Sequence, residues 1–253
     1  MLNTRVIPSL LLKGNGLVKT MKFKDPIYIG DPINAVKIFN DKEVDELIFL
    51  DISATPQSKG PNFKLIAEIA TEAFMPFGYG GGITGLNDME KLFSLGVEKV
   101  VLNTSAFKIP SLVSEASKVF GNQSIVVSVD VKKSIFGQYR VYTNCGTYDT
   151  RQTPVEYAKM MEESGAGELV INSIDRDGTM SGYDLKLVKL VADAVNIPVV
   201  ALGGAGKLSD FADAVNEGKA SAVAAGSMFV FQGVHKAVLI TYPPQEELIK
   251  IFK

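Results

Sequence analysis

Asp130 is the residue best suited to chemistry, because it closes the apolar run SIVVSVD at 124–130. A carboxylate at the end of a buried strand loses hydration, which raises its pKa toward the range where it trades protons near neutrality. Two glycine pairs, Gly81-Gly82 and Gly203-Gly204, are matched by two polar segments, Asn103-Thr104-Ser105 and Gly226-Ser227. Glycine lets backbone approach an anion closely, and hydroxyls add donors, so these residue types suit phosphate. The segment Asp175-Arg176-Asp177-Gly178-Thr179 offers further donors in Gly178 and Thr179. Plainer readings stand beside these: glycine pairs as tight turns, Asp130 as a partner of Lys132 or Lys133, and DRDGT as an Asp-Gly turn. Two matched glycine pairs favour an elongated ligand phosphorylated at both ends.

The remaining composition narrows the chemistry. One histidine, His235, and one cysteine, Cys145, leave little room for a Ser-His-Asp triad or a histidine metal site, and none for an intrachain disulfide. Both are read as structural, and neither a metal nor a cofactor is expected. The 253 residues are 46% hydrophobic and 21% charged, ordinary globular usage. With 26 Lys+Arg against 28 Asp+Glu, the net charge of −2 gives no footprint for nucleic acid or an anionic membrane. No apolar run has the length of a membrane span, and the first residues lack a signal-peptide layout, so a cytoplasmic protein is expected.

These candidates need a scaffold that gathers them. Apolar runs at 5–12, 46–52, 75–80, 99–104, 124–131, 167–174, 197–203 and 221–227 suit parallel strands covered on both faces. Asp31-Pro32 and Thr153-Pro154 place a capping side chain before proline, so helices start there. Eight strands alternating with helices predict an α/β fold, a (β/α)8 TIM barrel, over an open doubly wound sheet. A repeat supports it: 75–107 matches 197–229 at an offset of 122, with Gly81-Gly82 on Gly203-Gly204 and Ser105 on Ser227. One domain of two (β/α)4 half-barrels follows, about 1–122 and 123–253. In such barrels, chemistry sits at the C-terminal strand ends. Aligning the first strands of the halves sets Ser9 on Ser128 but Leu11 opposite Asp130. The stretch KGNGLVKTMKFKDPIYIGD that follows reads as a mobile loop over the mouth, with Lys19 placed to meet an anion.

The sequence resembles, along essentially its whole length, the cyclase subunit of imidazole glycerol phosphate synthase, the barrel half of a glutamine amidotransferase in histidine biosynthesis. The resemblance rests on RVIPSLLLKGNGLVK, DELIFLDISA, GGGI, NTSAF, VVSVDVK, SIDRDGTMSGYDL and GGAGKLSDF. It implies cyclisation of a bis-phosphate ribulosyl compound with ammonia drawn through the barrel from a glutaminase subunit at the N-terminal face. It implies Asp130 as a catalytic aspartate and Lys19 as the substrate-contacting lysine. It assigns Gly82, Asn103 and Thr104 to one phosphate site, and Gly178, Gly204 and Ser227, with neighbouring Asp177, to the other. It makes Arg5, Glu46, Lys99 and Glu168 an ammonia gate, and Glu98 a partner contact. The family's second catalytic aspartate falls on Leu11, which cannot transfer a proton, a loss worth about 10²–10⁴-fold. Asn172 stands where threonine is usual and Leu202 where serine is usual.

Leu11, GLVKT-x-KFK and GDPINAV-x-IFN are similar to a branch of that family associated with glycosyl amidation in surface-glycan and lipopolysaccharide pathways. That likeness implies ammonia relay to an ATP-dependent sugar amidotransferase that turns an acetamido group into an acetamidino group. The alternatives are an authentic histidine-pathway cyclase and a non-catalytic activator of a glutaminase.

Overall fold

A computed structural model describes residues 4–233 and 235–252. Eight parallel strands run β1 (Arg5–Lys13), β2 (Leu47–Asp51), β3 (Phe77–Gly80), β4 (Lys99–Leu102), β5 (Ile125–Lys133), β6 (Glu168–Ser173), β7 (Val199–Leu202) and β8 (Ala222–Ala225). Each pairs with the next, and β8 pairs with β1, so the sheet closes. Helices α1 (Pro32–Asp41), α2 (Phe63–Glu72), α3 (Leu86–Ser94), α4 (Pro110–Phe120), α5 (Pro154–Glu163), α6 (Leu185–Ala192), α7 (Leu208–Asn216) and α8 (Gln245–Ile251) follow the strands in turn. This is the (β/α)8 barrel. The bounds of α1 and α5, of α3 and α7, and of β3 and β7 each repeat at the 122-residue offset. No helix among the described residues is long and apolar enough to cross a membrane.

Strand alternation divides the core in two. Outward-facing Val6, Phe49, Val100, Val127, Leu169 and Ala201 join Phe39, Phe211 and Phe229 in the layer between sheet and helices. Inward-facing Ile7, Ile48, Val101, Val126, Val170, Val200, Ala222 and Ala224 fill the barrel axis with an apolar plug. A period of two therefore fixes what each strand contributes to the axis.

Both half-barrels lengthen their first strand into a hairpin at the mouth. Residues 16–21 pair antiparallel with the upper half of β1, and 24–30 pair with them in turn. The stretch expected as a mobile loop is thus a β-hairpin. Gly14 and Asn15 form its two-residue turn between Lys13 and Gly16, with Gly14 at φ +64°. In the second half, 139–143 pair with the upper half of β5, and Tyr148–Asp149 pair with them.

The helix starts repeat as well. Asp31 accepts from the Asn34 N–H at 3.0 Å, and Thr153 forms a full capping box with Glu156. Asp31→Ala and Thr153→Ala should each cost about 1 kcal/mol. A comparable fall in urea midpoint for both variants checks this.

Candidate functional site

A cleft of about 710 Å³ opens at the C-terminal strand ends, and one continuous wall joins both glycine pairs. Gly82, Asn103 and Thr104 line one side, and Gly178, Gly204 and Ser227 the other. Leu11, Lys19, Asp130 and Asp177 lie between them, so the sequence candidates for the mouth are brought together. Cys145 also lines the cleft, but its thiol is pushed up to about 11 by burial and donates to the Ile52 carbonyl at 3.4 Å.

Asp130 is buried and rests among neutral donors, not beside Lys132 or Lys133. Ser128 Oγ donates to its Oδ1 at 3.2 Å, and Asn103 Nδ2 to its Oδ2 at 3.3 Å. Burial pushes its pKa up to about 7, against the pull of the Ser128 and Asn172 hydrogen bonds and with a push from the Asp177 charge. Asn103 also donates to the Ser128 carbonyl at 2.9 Å, so its amide serves to orient Asp130. Thr104 Oγ1 accepts from the Asn144 N–H at 2.9 Å, tying the second hairpin to the end of β4. Asn172 is register partner to Asp130, and its buried Oδ1 has no hydrogen-bond partner among the described residues.

Lys19 points from the first hairpin into the mouth, where its amine donates to the Ser9 carbonyl at 2.7 Å. Burial lowers its pKa to about 8, partly offset by the Asp177 carboxylate. Asp177 itself holds the hairpin: its Oδ2 accepts from Thr20 Oγ1 at 2.9 Å and from the Phe23 N–H at 3.4 Å. Burial raises the Asp177 pKa while Lys19 lowers it. Its carboxylate therefore latches the roof of the mouth.

Protein backbone, as well as any anion, explains the glycines on this side. Gly178 has φ +72°, and a Cβ there would strike the Thr20 carbonyl of the hairpin. At Gly204, φ +119°, a Cβ would strike the Gly182 carbonyl. The tight-turn reading and the phosphate reading are compatible here, since the same turns leave the glycines lining the cleft.

Asp51 is the mouth residue that the motifs did not single out. It ends β2, is buried, and its Oδ1 accepts from the Ser53 N–H at 2.8 Å, Ser53 Oγ at 2.7 Å and the Ala54 N–H at 3.1 Å. Its signal was the one that marked Asp130: a carboxylate closing an apolar strand, here LIFLD. Among the described residues, no group of three or more His, Cys, Asp or Glu is arranged to hold a metal ion.

At the opposite end of the axis, Arg5, Glu46, Lys99 and Glu168 form a closed ring of alternating charge. Lys99 Nζ lies 2.9 Å from both Glu46 Oε1 and Glu168 Oε2, and Arg5 bridges the same two carboxylates. The carboxylates are buried while both cations reach solvent. Arg5 is raised above its ordinary pKa, because attraction to Glu168 and Glu46 outweighs its burial. Glu98 is exposed beside the ring, and Phe74, 86% exposed, stands in the loop between α2 and β3 on the same face.

The Asp130 pKa has a consequence for stability. Unfolded, the carboxyl has its ordinary value of 3.8; folded, it holds its proton to about 7. Between these values the folded state binds more protons, so this group makes stability fall as pH rises from about 4 to about 8. Asp130→Asn should remove that slope and gain on the order of 3 kcal/mol over the parent at pH 8, with little difference at pH 4. Denaturation midpoints across that range check it.

A family model described as "Histidine biosynthesis protein" matches residues 5–235. The chain is 54% identical over 248 residues to a Pseudomonas aeruginosa PAO1 protein provisionally named imidazole glycerol phosphate synthase subunit hisF2, covering 98% of this chain and 99% of that one. A Leptospira interrogans protein, provisionally named imidazole glycerol phosphate synthase subunit HisF, is 46% identical over the full length of both. The Alkaliphilus metalliredigens protein named imidazole glycerol phosphate synthase subunit HisF is 40% identical over 234 residues, 92% of this chain and 93% of that one. Barrel, mouth and sequence together place this chain in the HisF family of histidine biosynthesis proteins.

Proposed function

We propose that this chain is the barrel subunit of a glutamine amidotransferase complex and carries ammonia from a docked HisH-like glutaminase to the amidination of an acetamido sugar. The observation that carries the reading is the pairing of an intact charged ring with a mouth in which Leu11 faces Asp130. The entry machinery is complete, whereas the proton-transfer pair of the resembled cyclase is reduced to one carboxylate.

The axis suits a small neutral passenger. Beyond the ring lie aliphatic side chains, smallest at Ala222 and Ala224. Ammonia crosses such a layer far more easily than ammonium, whose transfer from water carries a large desolvation cost. The first polar groups above the plug include Ser9, Ser128, Asn172 and Asp130. Asp130 is then a group that exchanges protons near neutral pH. The greater identity to the relative numbered hisF2 than to the plainly named HisF protein fits a specialised branch. Phe74 and Glu98 give the glutaminase an apolar anchor and a charge beside the ring.

A histidine-pathway cyclase is the second reading, favoured by Asp130, Lys19 and glycine-lined walls at both ends of the cleft. The third is a bare glutaminase activator, which needs no passage through the axis. Turnover of the bis-phosphate ribulosyl compound with ammonium salt separates the first two. The unmodified chain should give none above background, and Leu11→Asp should raise turnover by at least about 100-fold if the phosphate walls still seat the compound. Family-like turnover by the unmodified chain overturns the relay reading. The ring separates the first reading from the third. Arg5→Ala leaves buried Glu46 and Glu168 with Lys99 alone. Glutamine-driven amidination should fall at least about tenfold while ammonium-driven amidination stays constant; a bare activator would lose neither.

A further inference from the structure

The two hairpins at the mouth carry surface features that the barrel does not need. Their inner parts meet: the Phe23 ring of the first lies against Gly146 of the second, and Lys22 N–H bonds the Asp177 carbonyl beneath. Their outer parts expose large apolar side chains. Ile135 is 95% exposed and Phe136 84% exposed at the turn of the second, and Ile27 and Tyr28 are well over half exposed on the first. Adjacent large apolar side chains left bare on water-facing hairpins mark an interaction site. Pro26 and Phe23 of the first hairpin and Cys145 of the second also line the cleft, so both hairpins reach the mouth.

The charge around these side chains is one-sided. The first hairpin exposes Lys13, Lys22 and Lys24 against Asp25. The second carries Lys132, Lys133, Arg140 and Arg151 against Asp149. Lys133 is partly neutralised by Asp184 at 3.3 Å; the others have no ion pair among the described residues. A chain of net charge −2 thus gathers a cationic surplus on the two elements that frame its exit.

We propose that these hairpins form the docking surface for the ammonia-consuming enzyme, a protein with an acidic rim and an apolar centre, seated over the mouth. The inference rests on the relay reading above. Free ammonia leaving an open mouth at neutral pH becomes ammonium and loses its nucleophilic lone pair. A relay therefore works only where the acceptor's own site seals the exit. Apolar anchors at the centre of such an interface supply affinity, and the cationic rim speeds encounter in a salt-dependent way.

The test uses the full complex: this chain, a HisH-like glutaminase subunit and an ATP-dependent acetamido-sugar amidotransferase. One variant carries Ile135→Asp and Phe136→Asp, and a second carries Lys24→Glu and Arg151→Glu. All four side chains are exposed at the mouth end, away from the ring, so the glutaminase should remain activated in both. Glutamine-driven amidination should drop at least tenfold in each, with ammonium-driven amidination unchanged. Association of the amidotransferase with the parent chain should weaken as salt rises. Full glutamine-driven coupling in both variants overturns the docking proposal while leaving the relay intact. Failure of the unmodified complex to use glutamine, with ammonium-driven amidination working, overturns the relay and docking together. Binding of the unmodified chain to phosphatidylglycerol vesicles, lost in the variants, with no association to the amidotransferase, assigns the surface to a membrane and overturns the protein partner.

Discussion

The inward-facing side chains of eight closed strands must fill the barrel axis layer by layer, and the rest of the molecule depends on that constraint. Closure leaves no sheet edge, and a period of two gives each strand only a few axial positions. β1 spends its positions on Arg5, Ile7, Ser9 and Leu11, running from ring through plug to mouth. β6 does the same with Glu168, Val170 and Asn172. Because neighbouring strands are in fixed register, Asn172 beside Asp130 and Leu11 beside Leu50 follow from pairing and leave no separate choice.

Electrostatics then separates the two ends. The ring holds its buried carboxylates between two cations, so each charge keeps partners and none faces the plug alone. Removing one member strands the others, which is far costlier than the pair is worth in net stability. The mouth works the other way. Asp130 is surrounded by neutral donors and faced by leucine, so nothing nearby stabilises its charge except hydrogen bonds, and its proton is held to about neutrality. Carboxylates at the two ends of one axis thereby meet opposite surroundings, cations at the ring and neutral donors at the mouth.

Much of this was legible in the chain. The 122-residue repeat carried the barrel, because glycine, proline and serine recur only where the backbone geometry recurs. The ring was legible through the resemblance, and its charges do occupy the N-terminal strand ends. Less legible was the stretch after β1. Its lysines and glycines suggested a loop, yet the Gly14-Asn15 pair between Lys13 and Gly16 is the signature of a two-residue hairpin turn. The resemblance sets Asp177 beside Gly178 at a phosphate site, and its hydrogen bonds to Thr20 and Phe23 are tertiary contacts that no spacing in the chain discloses. Asp51 went unmarked because LIFLD was read for its strand and not for its last residue.

Leu11 decides how the mouth should be understood. Were it a passive loss, the surrounding pocket would be expected to stay polar, since an apolar side chain among unmet polar groups is a poor neighbour. Instead Leu11 lies in a cleft whose wall also holds Leu50 and Leu202, and Leu202 packs against the axial plug. Leucines thus line the mouth on β1, β2 and β7, beside Ser9 and Asp51, while Asp130 and Asn172 keep polar groups on β5 and β6. A mouth divided in this way sets Asp130 opposite a wall rich in leucine. That arrangement suits passing a neutral molecule outward better than donating and accepting protons on opposite faces of one substrate.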